Sequence, residues 1–226
     1  MLKKLLTGML VLCMVLGFGS LAFAQMGEVS VDQWFTNHTW EPEAEPDTKY
    51  EASARLTGVK GDVSITDKIG VAGSFVFGKS EDFKDAPKNH GELSNMSVAV
   101  QYQIIPMVKA RAGFFSGSYT DVSVDKAEYK MTGITVGAAV DAEVGNGIGI
   151  FGEAAYAPVV NAKLGDDELK DSSMMAFEAG GKYDFGQFAV RAGYRHQGLE
   201  FKADAKDAKA STATFSGFFV GASFNF

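Results

Sequence analysis

The sequence has three histidines, His38, His90 and His196, whose ordinary pKa suits proton transfer near neutrality. His196 lies in Arg195-His196-Gln197. An imidazole that activates a hydroxyl wants a serine nearby on its own strand, and Gln197-Gly198 offers none, so nucleophile and base would have to converge from different strands. A lone histidine is more often an interfacial side chain, and no catalytic residue is assigned. Glu41, Glu43, Glu45 and Asp47 are interrupted by Pro42 and Pro46 and lack the Asp-x-Asp-x-Asp-Gly order of a calcium loop, so they read as a solvated face. Asp166-Asp167-Glu168 and the stretch from Lys202 to Lys209 read as soluble loops. No phosphate-binding glycine loop, zinc spacing or nucleotide motif occurs, and neither a cofactor nor a metal is expected.

A second group of charged residues carries a spacing signal. Glu51, Arg55, Lys109, Arg111, Asp141, Glu153, Glu178, Lys182, Arg191 and Arg195 sit at alternate positions opposite apolar neighbours. In a strand, alternate side chains face opposite sides of the sheet, so these ten share one surface. Asp141 falls one strand from Lys109 and Arg111, and Glu153 and Glu178 fall near Arg191 and Lys182. Enclosed charges are costly unless paired, so an interior ion-pair network is expected. Two readings stay open: a network that fills and stiffens the interior, and a narrow charge-lined conduit for small ions or solutes.

The elements that must hold these residues are strands. Phe218, Val220, Ala222, Phe224 and Phe226 alternate with mostly small or polar residues at the end of the chain. The same period of two recurs over 71–77, 96–104, 108–115, 134–143, 148–156, 175–183 and 188–195. Residues 48–66 alternate too, but the parity slips between Gly58 and Gly61, which a β-bulge would explain. Residues 28–36 complete a count of ten, with eight as the alternative. Tight links near Thr66–Ile69, Ile105-Pro106, Val144–Gly147 and Asp184–Gln187 interleave with longer polar links near 37–47, 80–92, 119–128, 158–173 and 202–211. The 26 glycines against 5 prolines disfavour a helical fold.

Together, segments of about ten alternating residues, short and long links in turn, and a final strand ending in an aromatic resemble small bacterial outer-membrane β-barrels. The resemblance implies an all-β, transmembrane, antiparallel up-and-down barrel with short turns on the periplasmic side. It also implies that Phe224 and Phe226 carry the signal read by the barrel assembly machinery. Tyr50, Tyr102, Tyr129, Tyr156, Tyr183 and Phe188 are then expected as membrane-interface aromatics. Outer-membrane lipid and lipopolysaccharide are the expected surroundings, and a monomer the expected state. Outer-membrane proteases and lipid deacylases share the architecture, which keeps a hydrolase acting on lipid A or peptides as a distant alternative.

Residues 1–24 read as a signal peptide ahead of a single domain over 25–226. Lys3 and Lys4 precede an uncharged apolar run from Leu5 to Leu21, and Ala22-Phe23-Ala24 suits cleavage. The single cysteine, Cys13, falls inside this segment, so the remaining chain has no thiol for a disulfide or a metal. Without Lys3 and Lys4 the 21 basic residues become 19 against 28 acidic, a formal charge of −9, which opposes nucleic-acid binding.

Overall fold

The computed structural model describes residues 26–42, 48–84, 90–122, 127–164, 167–202 and 210–226. The proposed leader, Glu43, Glu45, Asp47, Asp166 and the stretch 203–209 lie outside them. Ten strands form one closed ring: β1 (Met26–Glu41), β2 (Tyr50–Ser64), β3 (Ile69–Ser80), β4 (His90–Ile105), β5 (Val108–Val122), β6 (Ala127–Gly145), β7 (Ile148–Leu164), β8 (Asp167–Asp184), β9 (Phe188–Phe201) and β10 (Ser211–Asn225). Each strand pairs antiparallel with its sequence neighbours, and β1 closes the ring against β10 from Glu28↔Asn225 to Glu41↔Thr212. Reciprocal backbone hydrogen bonds between Gly27 and Phe226, 2.8 and 2.9 Å, finish the seam. Closure leaves no unpaired sheet edge.

The four tight turns fall at the expected links, and local chemistry explains two of them. At the β2–β3 turn the Thr66 hydroxyl accepts from the backbone N–H of Ile69 at 3.0 Å, as such turns favour. At the β6–β7 turn Asn146 and Gly147 both have positive φ, 55° and 76°, which suits the right-handed twist of a hairpin. The other ends of the strands differ from expectation. The polar stretches 119–128 and 158–173 are largely strand, because β5 to β8 run on into them, and β1 continues through 37–41.

These extensions divide the barrel into two storeys. In the lower one, next to the tight turns, outward residues are apolar: Val31 and Phe35 on β1, Val98 and Val100 on β4, Ile134 and Val136 on β6, Phe218 and Val220 on β10. Phe218 and Ile134 are each 70% exposed, far beyond what a water-facing sheet tolerates over so many positions. Above Phe35, Met96, Phe114, Ile134, Tyr194 and Phe218 the same face turns polar, with Asn37, Ser94, Ser116, Thr132, His196 and Ser216 next in line. Inside, the order is reversed, with charges below and aromatics above.

This inversion corrects the reading of β2. Its register with β1 runs without a shift from Tyr50 to Ser64, and that with β3 from Ala54 to Ser64, so there is no bulge at Gly58–Gly61. Ala52, Ala54, Leu56, Gly58, Lys60 and Asp62 all face the interior, and what changes along the strand is the surroundings. Above Gly58 the interior is apolar and the outside polar; below it the two exchange. Shifts do occur elsewhere, between Ala157 and Val160 on β7, where Pro158 cannot donate to the ladder, and between Gly133 and Val136 on β6.

Candidate functional site

The lower lumen holds a continuous ion-pair network. Lys60 reaches across from β2 to Glu153 on β7 and, at 2.8 Å, to Glu178 on β8. Glu178 accepts from Arg195 Nε at 2.6 Å and from Arg191 Nη2 at 3.0 Å. Arg195 Nη2 donates to Asp32 at 2.8 Å, and Arg191 Nη1 approaches Glu28 at 3.4 Å. On the other wall Arg111 spans Glu153 at 2.7 Å and Asp62 at 3.1 Å, while Gln101 and Lys109 also donate to Asp62. Five carboxylates (Glu28, Asp32, Asp62, Glu153, Glu178) thus meet five cations (Lys60, Lys109, Arg111, Arg191, Arg195). Arginine's planar fork makes such shared contacts possible.

Of the ten charged residues singled out from the sequence, Lys109, Arg111, Glu153, Glu178, Arg191 and Arg195 meet in this network. Asp141 and Lys182 form a separate pair at 2.7 Å nearer the tight turns, so Asp141 does not serve Lys109 or Arg111 and Lys182 does not serve Glu178. Glu51 and Arg55 are corrected: both face outward on the upper storey, where Glu51 lies 3.0 Å from Lys49 and the carboxyl is held below its usual range by that ammonium. Glu28, Asp32, Lys60 and Asp62 complete the network and were missed. Reading one parity of β1 straight through, Glu28-Ser30-Asp32-Trp34-Thr36-His38-Trp40, would have found the first two.

Above the charges sits an aromatic plug. Arg195 lies 4.6 Å from the Phe219 ring and 5.5 Å from Trp34, and Arg191 4.4 Å from Phe151, joining the two layers. Trp34, Phe115, Tyr119, Phe201 and Phe215 are essentially without exposure. Ring contacts cross the lumen: Trp40 to Tyr119 at 5.1 Å, Trp40 to Tyr129 at 5.6 Å, Tyr129 to Phe201 at 4.6 Å.

His38 is buried in this plug. It stacks on Phe215 at 4.3 Å, and its Nε2 shares a hydrogen bond with the Tyr119 hydroxyl at 3.2 Å. A Cβ on Gly91 would meet the imidazole at 2.3 Å, so only glycine fits beside it. Burial lowers the His38 pKa from 6.5 to about 3. The unfolded chain therefore binds a proton below pH 6.5 that the folded one refuses. The associated stability is whole above that pH and is lost as the pH falls towards 3. By pH 4.5 the loss is about 2–3 kcal/mol. Denaturation midpoints of the native protein and His38→Gln, measured at pH 7.5 and 4.5, check this. The native protein should lose more by that margin, and equal losses would contradict it.

The outer wall carries the remaining residues. Tyr102, Tyr156, Tyr183 and Phe188 face outward and are well exposed. Phe224 also lies on that face, packed between Phe188 and Phe226. Tyr129 and Tyr50 are corrected: Tyr129 is buried in the plug, and Tyr50 shares the interior parity and packs beside Phe83. Both stand on the upper storey, where aromatics turn inward away from water. His90 lies 3.7 Å from Asp82 and 3.6 Å from Glu92. His196 faces outward just above the apolar belt, its Nδ1 2.7 Å from the Ser216 hydroxyl on β10 and its ring stacked on Phe177. Serine and imidazole do converge from different strands, but this pair has no carboxylate beside it to orient the ring among the described residues.

A closed antiparallel ring, an apolar belt facing outward, an enclosed charge network and tight turns at one end define the class: a transmembrane β-barrel with the architecture of bacterial outer-membrane proteins. No family model matches the chain, and no curated protein matches it in sequence. Solved structures similar in fold include the translocator domain of the autotransporter NalP from Neisseria meningitidis, at 13% identity and TM-score 0.42, covering 99% of this chain and 96% of that one. An outer membrane channel from Pseudomonas putida F1 is similar at 10% identity and TM-score 0.47, covering 92% and 97%. The outer membrane protease OmpT from Escherichia coli is similar at 12% identity and TM-score 0.44, covering 89% and 96%.

Proposed function

We propose that this protein is a closed barrel with a structural or surface role, a membrane-anchored stem that holds a short polar storey and its loops outside the cell. One observation carries the reading: both interior layers span the diameter. In a ring of ten, strands five places apart are opposite, and Lys60 on β2 touches Glu153 on β7 while Trp40 on β1 packs on Tyr129 on β6. Each contact bridges the lumen, and a wide water path would have to part both. In this reading lipopolysaccharide and outer-leaflet lipid surround a single copy, and Phe224 and Phe226 are the residues that the assembly machinery reads.

The alternative is a narrow charge-lined channel. Purified barrel in a planar bilayer is expected to give no discrete conductance steps; steps that vanish on heat denaturation would replace the closed stem with a pore. Hydrolase activity is tested separately through Ser216. A fluorophosphonate probe is expected to leave it unlabelled, whereas an adduct lost in His196→Ala would support attack on a lipid ester.

A further inference from the structure

Arg55 on β2 and Lys79 on β3 occupy an unusual place. They are direct partners in the β2–β3 register, both face outward, and both are exposed. Like charges directly opposite on neighbouring strands repel. Neither side chain makes a hydrogen bond or ion pair with a described residue. By contrast Lys49, Lys130, Lys163 and Lys202 each lie within 3.5 Å of a carboxylate. Of the acidic neighbours, Glu51 is on Lys49, Glu92 is the register partner of Lys79 on β4 and lies 3.6 Å from His90, and Glu81 contacts neither cation within salt-bridge range, so Arg55 is the member of the pair with no carboxylate in register.

The pair stands at the upper margin of the apolar belt. Lys79 is the first outward position above Phe77, and Arg55 stands two outward positions above Val59, where the apolar belt gives way to polar residues. Phe35, 48% exposed, is in register with Arg55, and Phe77 lies beneath Lys79, half-buried and stacked at 5.1 Å on the buried Phe75. A cationic pair therefore sits directly over a lipid-facing aromatic patch. An anion that bridges both cations removes their repulsion, and a guanidinium beside an ammonium suits tetrahedral phosphate oxygens. The patch below suits a chain attached to that phosphate.

We propose that Arg55 and Lys79 form a site for the phosphate group of an outer-leaflet lipid, with its acyl chains lying on Phe35 and Phe77. The proposal goes beyond the closed-stem reading and depends only on the membrane placement of the belt, so a conducting barrel would leave it intact.

The test is native mass spectrometry of the full barrel in detergent, with dimyristoyl phosphatidic acid as probe and dimyristoylglycerol and inorganic phosphate as comparators. The native protein should retain the phosphatidic acid and not the diacylglycerol. Each basic group near an anionic surface contributes about fivefold, so Arg55→Gln/Lys79→Gln should bind about 25-fold more weakly. The charge-keeping Arg55→Lys/Lys79→Arg should retain binding, and the heat-dependent gel shift of a folded barrel shows that each variant is folded. Equal retention by the native protein and the double glutamine variant would overturn the site. Competition by inorganic phosphate at the same concentration as the lipid would overturn the lipid assignment, leaving a soluble anion as the ligand.

Discussion

Replacing Arg195 by methionine is expected to destabilise the folded barrel by about 3–5 kcal/mol. The guanidinium is nearly inaccessible, and its two hydrogen bonds, 2.6 Å to Glu178 and 2.8 Å to Asp32, run to carboxylates that are themselves buried. Their removal strands two negative groups in a confined interior, which is why losing one partner costs more than the intact set contributes. Arg191 and Lys60 still touch Glu178, and Arg191 still approaches Asp32 at 3.4 Å, which places the effect towards the lower end. Urea titration in micelles measures the change, with Trp34 beside Arg195 as the fluorescent reporter. Replacing Arg195, Asp32 and Glu178 together by methionine, asparagine and glutamine should restore part of the loss. A shift below about 1 kcal/mol for Arg195→Met alone would mean that water already solvates the network.

Trp34→Ala should cost about 3–5 kcal/mol for a different reason. The indole is completely enclosed, lies 6.4 Å from Phe215, and donates from Nε1 to the Gly217 carbonyl at 3.2 Å. Truncation leaves a cavity between the plug and the charges, and strands that carbonyl lone pair. The rings of Trp40, Tyr119, Tyr129 and Phe201 above it contact one another and not Trp34, so the plug should stay in place and the variant should remain silent in a planar bilayer. Denaturation midpoints and conductance on the same preparation check both halves; an open pore in Trp34→Ala would place the seal at this one residue.

Much of the barrel was legible because its lower storey obeys a single rule. On β4, β5, β9 and β10 greasy residues alternate with polar ones, and the tight turns are marked by Pro106, Asn146-Gly147 and Gly186. What was illegible follows from the reversal of that rule partway up each strand. Ala52, Ala54 and Leu56 look lipid-facing beside Glu51 and Arg55, and only at Lys60 and Asp62 does the same interior parity turn charged. Tyr129 was misplaced for the same reason, since an aromatic near a strand's outer end has the pattern of an interface ring even where it packs into an inner plug. The partners across the lumen were beyond local pattern: that Lys60 meets Glu153, and Asp141 meets Lys182, depends on curvature and stagger. His196 and Ser216 were separable in sequence but joined by the β9–β10 register, Ser216↔His196.

The reversal of the outer face also fixes how deep the protein sits. On β4 the apolar outer face runs from Met96 to Ile104, and at about 3.4 Å per residue and a tilt of about 40° that is a hydrophobic thickness of about 20 Å. Sinking further would bury Ser94 and Ser116 in hydrocarbon, and rising would wet Ile104 and Ile148. A rigid closed ring meets a thicker bilayer chiefly by thinning the lipid around it. The chain should therefore insert faster into vesicles of short-chain lipids than of long-chain ones, and sort to the thinnest membrane the cell offers.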